Sequence, residues 1–228
     1  KLSTLLNEMV DISKIESGRM DLRIENFNLR EILSELEQSV KHLAELKSLS
    51  FEIIYGSAED IVMTTDKYKL LQILVNLSSN ALKFTETGFV KIHVMKSSED
   101  RIKFEVADSG IGIPEDQLAA IFEEFHQVDS SLTRKFSGSG LGLSISRSFA
   151  HLIKGKLTVK SSVGKGSTFT LEVPLQVNEN AGADLMRTPQ NSFAFAETVS
   201  AAEVNHTAER GDMESGAEGK IYDSYQQF

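Results

Sequence analysis

The segment over about residues 66–85 carries two stripes at helical spacing, and together they restrict what can lie on either side of it. Leu70, Ile73, Leu74, Leu77, Ala81 and Phe84 make one apolar face that has to enter a core. Beside it, Asn76, Asn80 and Lys83 recur at i, i+4 and i+7. Asparagine is a poor helix-interior residue, because its amide competes for backbone groups. Two of them aligned with a lysine therefore predict either a solvated polar face or the wall of a polar site.

The flanking patterns supply the rest of an α/β domain. Leu2, Leu5, Met9 and Ile12 recur at spacings of three and four, the seam of a coiled coil or helical bundle, and Gly18 gives a helix stop. Asn28 is placed to cap a helix running to about residue 49, with Leu29, Ile32, Leu33, Leu36, Val40 and Leu43 on one face. Residues 51–55 and 61–63 read as short strands, and 90–95 and 102–107 as an alternating pair. Pro114 suits the opening of a short helix. A helix over about 141–153 and a last strand pair, 156–161 and 167–175, complete a predicted two-layer α/β sandwich.

Two glycine-rich turns offer chemistry. Asp108 ends an apolar strand and meets Gly110 and Gly112. A carboxylate there can accept from the exocyclic amine of adenine, whereas guanine presents an oxygen and leaves the acceptor unpaired. A plain Asp-x-Gly turn is the alternative. Gly138, Gly140 and Gly142 precede a helix, an arrangement that presents free amides and a positive dipole end to phosphates. The preceding residues 131–136 are polar and not a buried strand, which excludes a dinucleotide-binding turn, and no Walker sequence is present.

Five stretches in order, residues 76–84, 108–114, 121–125, 137–143 and 164–169, resemble the N box, first glycine box, phenylalanine box, second glycine box and third glycine box of the sensor histidine kinases. The likeness covers about residues 2–175. It implies a Bergerat-type domain, one mixed sheet with helices on one face, holding ATP and Mg²⁺. It further implies that Asn80 is the metal ligand, that Asn76 supports it and that Lys83 faces a phosphate. Phe84 and Ile113 would line the nucleotide, Asp108, Gly110 and Gly112 would take the base, and Thr168 would reach the adenine side. Gly138, Gly140, Leu141, Gly142 and Leu143 would form the phosphate side. Residues 127–139 would be a lid, with Arg134 as a phosphate partner and Phe122 and Phe125 as docking points, or simple core aromatics. Residues 1–18 resemble the end of a dimerisation hairpin, 19–177 the catalytic domain, and 178–228 read as an acidic, disordered tail or linker.

The resemblance also has departures. Gyrase and heat-shock chaperone ATPases carry a water-activating glutamate where this chain has Asn76, which argues for transfer to a protein acceptor over hydrolysis. None of His42, His93, His126, His151 and His206 sits in the expected acceptor context, so the chain alone is expected to bind ATP without phosphorylating itself. The sequence starts at Lys1 inside a helical pattern, which predicts a longer or processed protein. The implied partners are the dimerisation domain of the same or a second chain and a downstream receiver domain. The intact protein is expected to be a homodimer, and the isolated chain a monomer or weak dimer. A non-catalytic ATP-binding regulatory module and a gyrase- or chaperone-like ATPase are the rival readings.

Composition sets outer bounds. The net charge is −9, and from Val177 onward nine acidic residues face three basic ones, leaving −3 for the remainder and no basic surface for nucleic acid. The 13 Phe and 40% apolar content suffice for a core. Zero cysteines exclude disulfides and thiolate-bound metal. No apolar run reaches a membrane-spanning length, so a cytoplasmic location is expected, with any anchor in preceding segments.

Overall fold

The computed structural model describes residues 2–56, 61–127 and 139–177. Helix α1 (Leu2–Glu16) ends where the Gly18 and Arg19 amides return to the Ile15 and Lys14 carbonyls at 3.0 and 2.9 Å. Its Ile12 and Ile15 pack on the domain core, while Leu6, Met9 and Val10 are exposed. The Leu2 and Leu5 side chains fall outside the described set.

Strand β1 (Glu25–Asn28) leads into helix α2 (Leu29–Leu46), whose first turn is capped by the Asn28 side chain accepting from the Arg30 amide at 2.8 Å. Strands β2 (Ser50–Tyr55) and β3 (Val62–Thr65) follow, then helix α3 (Lys67–Phe84), strands β4 (Phe89–Lys96) and β5 (Arg101–Asp108), helix α4 (Gly142–Leu152), and strands β6 (Lys156–Ser162) and β7 (Gly166–Pro174). The main sheet has the order β2-β4-β5-β7-β6; β2 runs parallel to β4 and every other pairing is antiparallel. A separate ribbon pairs β1 with β3.

Strand alternation gives the sheet one apolar face. Val90, Ile92, Val94, Ile102, Phe104, Val106, Leu171 and Val173 are buried together with the apolar stripes of α2, α3 and α4. The opposite face carries Lys91, Lys103, Glu105 and Glu172, with ion pairs such as Lys91–Glu52 at 3.4 Å and Arg101–Glu172 at 3.4 Å. The two-layer mixed-sheet sandwich with helices on one face is the architecture expected from the sequence. One helical face needs correction: Leu43 is exposed at 39% and Ala44 takes the buried place at 2%. The helix turns its last apolar contact one position further, and the smaller residue fits against the sheet edge.

The N-terminus of α3 is fixed by a buried pair. Asp66 accepts from the Lys69 amide (2.9 Å) and, through Oδ2, from the Lys69 ammonium (2.8 Å) and the Arg23 amide (2.9 Å). Lys69 also donates to the Asp21 carbonyl at 2.8 Å. Neither charge is left unpaired, the condition for burying an ion pair at tolerable cost. The segment after α1 is thereby tied to the start of α3.

Candidate functional site

The apolar stripe of α3 goes into the core as the spacing requires: Leu70, Ile73, Leu74 and Leu77 have no exposure. Asn76, Asn80 and Lys83 come out half-buried along one side, and Phe84 is half-buried as well. Asn76 Nδ2 donates to Ser146 Oγ of α4 at 2.8 Å, while its Oδ1 faces Asn80 Nδ2 at 3.5 Å. This relay engages Asn80 Nδ2 and leaves the side-chain oxygen Oδ1, the donor type a hard cation selects. Among the described residues no cluster of three or more His, Asp or Glu could hold a metal. An amide oxygen completed by phosphate oxygens and water is the donor set that fits here.

Helix α4 begins against this wall. Leu141 occupies the cap position with no side-chain capping bond, and the first intrahelical amide bond is Ile145 to Leu141 at 3.0 Å. The first-turn amides at Gly142 and Leu143 are therefore orphans of the kind that bind anions. A Cβ on Gly142 would lie 2.5 Å from Asn76 Oδ1, so only glycine lets the two elements meet. Gly140 backs onto Phe125 and His126. His126 in turn meets Gln117 Oε1 at 3.0 Å.

Asp108 closes the other side. It is 8% exposed at the end of β5, and its Oδ1 accepts from the Gly110 amide at 2.8 Å and the Ser167 amide at 3.3 Å. Burial pushes its carboxyl above the usual range, against the pull of those two amides. Both bonds arrive at one oxygen, which leaves Oδ2 for an incoming donor. Gly166 backs directly onto this residue: its φ is +86°, and a Cβ would meet the Asp108 carbonyl oxygen at 1.9 Å. The turn after Asp108 is pinned by Ile113 amide to Ser161 Oγ (2.8 Å), Gly164 amide to the Ile111 carbonyl (2.7 Å) and Ile111 amide to the Phe84 carbonyl (3.3 Å). Gly112 lies under the Ser162 carbonyl.

Lys83 sits with its ammonium 4.7 Å from the Phe84 ring centroid, and burial lowers its pKa. A cation held partly out of water is one whose desolvation has already been met before a phosphate arrives. Phe122 is a core residue, edge-on to Phe169 at 6.5 Å, while Phe125 is exposed at 64%.

The contacts bring Asn76, Asn80 and Gly142 together midway along α3, and Phe84, Asp108 and Gly110 together at its C-terminal end. Thr168 does not join them. It pairs with Ala107 in the ladder, and both project from the face opposite Asp108 and Phe169. Ser167, one residue earlier, is buried beside Asp108, with Oγ 3.0 Å from Ser161 Oγ. The period-two alternation of β7 carried that signal in the sequence. Arg134, Gly138 and residues 128–138 of the predicted lid lie outside the described residues.

Comparison with known proteins identifies the family and the fold. Residues 65–177 match the family described as histidine kinase-, DNA gyrase B-, and HSP90-like ATPase. The chain is 37% identical over 216 residues to the autoinducer 2 sensor kinase/phosphatase LuxQ of Vibrio vulnificus, covering 90% of this chain and 25% of LuxQ. It is 38% identical over 178 residues to the circadian input-output histidine kinase CikA of Synechococcus elongatus, covering 77% and 23%. The chain therefore spans about a quarter of the length of these relatives. Among solved structures, full-length ShkA in complex with AMPPNP superposes with a TM-score of 0.69 at 28% identity, over 78% of this chain and 36% of ShkA. The catalytic domain of histidine kinase ThkA gives 0.59 at 27%, over 68% and 99%.

Proposed function

Since the chain belongs, through residues 65–177, to the histidine kinase-, DNA gyrase B- and HSP90-like ATPase family, we propose that it is the ATP-binding catalytic part of a sensor histidine kinase. The observation that carries the reading is the pairing of a buried carboxylate, Asp108, with an asparagine wall facing an uncapped helix start. The first suits an exocyclic amine, and the second suits a metal-bound polyphosphate.

Asp108 Oδ2 accepts from the amine of adenine, with Ser167 beside it in the place expected of Thr168. Phe84 and Ile113 flank the base. Lys83 and the amides of Gly142 and Leu143 neutralise phosphate oxygens. The Asn80 side-chain oxygen would hold Mg²⁺, with Asn76, held by Ser146, orienting Asn80. When bound, Mg²⁺ would supply charge neutralisation at the phosphates. Phosphoryl transfer needs mainly positioning and such neutralisation. A histidine nitrogen of the dimerisation domain attacks the γ-phosphorus, and ADP departs with the bridging oxygen. Asn76 stands where a hydrolytic relative needs a carboxylate base, which favours transfer over hydrolysis.

In this reading residues 1–18 end the dimerisation hairpin, residues 19–177 form the catalytic domain and residues 178–228 are an acidic tail or linker. The intact protein is a homodimer working at the cytoplasmic side, and no described helix is long and apolar enough to cross a membrane. The test is incubation with γ-labelled ATP. Acid-labile, base-stable label is expected on the intact protein and none on this chain alone. Release of free phosphate by this chain without any label on the intact protein would move the assignment to the ATPases.

A further inference from the structure

We propose that Lys47 is a positioning residue for the nucleotide site, an inference that rests on the ATP-binding reading above. Lys47 is the residue on which α2 ends. Its ammonium reaches across to the far end of α3 and donates to the carbonyls of Leu82, Lys83 (3.0 Å) and Thr85 (2.9 Å). An ammonium has three donors and no acceptor, and here three carbonyls of one helix end meet them.

A helix leaves its last carbonyls without partners and gathers partial negative charge there, which a lysine offsets. The accounting at α3 is complete. The Ala81 carbonyl takes the Thr85 amide at 3.1 Å and the Thr85 hydroxyl at 2.7 Å. The Phe84 carbonyl takes the Ile111 amide from the turn after Asp108. Lys47 holds the three that remain. The same corner of the fold grips the following loop, where the Ser50 amide donates to the Gly88 carbonyl at 3.0 Å.

The turn held by Lys47 carries Lys83 and Phe84 on its side chains and the Asp108 turn on its Phe84 carbonyl. One ammonium, remote in sequence from all of them, thus fixes the phosphate-side cation and the base-side carboxylate relative to each other. Without it three carbonyls at a partly buried helix end lose their donor, and the last turn frays. Arginine cannot substitute, because its donors are spread over three nitrogens in one plane and do not converge on a point.

The chain has no cysteine, so Lys47→Cys creates a single thiol that 2-bromoethylamine, applied to the unfolded chain before refolding, converts to an ammonium of lysine length. Calorimetric titration with ATP–Mg²⁺ is run well below each variant's unfolding temperature, with circular dichroism as the check of folding. Lys47→Met is expected to bind at least about tenfold more weakly, the scale of a charge-assisted hydrogen-bonded group. Lys47→Arg should stay weak, and aminoethylated Lys47→Cys should recover wild-type affinity. A folded Lys47→Met that binds as wild type, even with a lowered melting temperature, overturns the proposal by restricting Lys47 to stability. If Lys47→Met does not fold, the modified and unmodified Lys47→Cys proteins decide, and refolding without recovered affinity overturns it equally. Failure of the wild-type chain to bind ATP would overturn the ATP-binding reading instead.

Discussion

Around Asp108 the walls of the site are made of backbone: the amides of Gly110 and Ser167, the Ile111–Phe84 bond and the Gly164–Ile111 bond. Around Asn80 they are made of side chains, and the amide-to-amide contact there is long, 3.5 Å against 2.8 Å for the Asn76–Ser146 bond behind it. Backbone walls are set by the strand register and cannot be adjusted one group at a time. Side-chain walls with orphan helix amides beside them are incomplete until charge arrives. In the reading proposed above, the base end is therefore built in advance for shape and hydrogen-bond pattern, and the phosphate end is built to tighten on its ligand. Preorganised donors and acceptors give discrimination, and unspent ones give affinity for charge.

The largest expected effect tests the preformed end. Asp108→Ala removes the acceptor and leaves two amides without their partner, so adenine-nucleotide affinity should fall about a hundredfold or more. Its advantage for ATP over GTP should disappear in the same titration. Retained preference for ATP would show that the base is read elsewhere. Smaller and more selective is Asn80→Ala, for which about a tenfold loss is expected for ATP with Mg²⁺ and none for adenosine. Equal losses for both ligands would erase the contrast between the two ends.

The smallest effect is on stability. Burial holds the Asp108 carboxyl above its ordinary 3.8, so ionisation opposes the folded state. The stability associated with it is complete below 3.8 and is lost as pH rises through the raised folded value. Asp108→Asn keeps an acceptor for Gly110 and Ser167 without the charge. Without nucleotide it should melt at a higher temperature than wild type at neutral pH, and the two melting curves should converge on acidification. A variant that is less stable at neutral pH would mean that the carboxylate is held by more than its two amides.

The features carried by local pattern were legible in the sequence. The two stripes of α3, the Asn28 cap and the alternation of β4 and β5 all came from spacing alone, and the glycine turns indicated where backbone must approach closely. Features made by distant pairing were hidden. Strand β1 has one apolar residue, Phe27, and exists because β3 offers it a ladder. Lys69 stands three residues after Asp66, but only the fold brings the Asp21 carbonyl to it. The Lys47 cap joins positions 35 to 38 residues apart. Thr168 lies on the face opposite Asp108 and Ser167 on the same face as Asp108, and in a strand one residue decides the face.

Strand β7 is the last strand among the described residues, yet it lies inside the sheet, between β5 and β6. Its register runs back to Arg101–Ala107, and just beyond it the Leu175 and Val177 amides bond to the Asp100 and Thr64 carbonyls at 2.7 Å. During synthesis Asp108 therefore leaves the ribosome some sixty residues before the Ser167 amide that completes its surroundings. Until then β5 has a bare edge, open to strangers as much as to its own partner. In the proposed reading, the base side of the nucleotide site is complete only when the hairpin of β6 and β7 inserts beside β5.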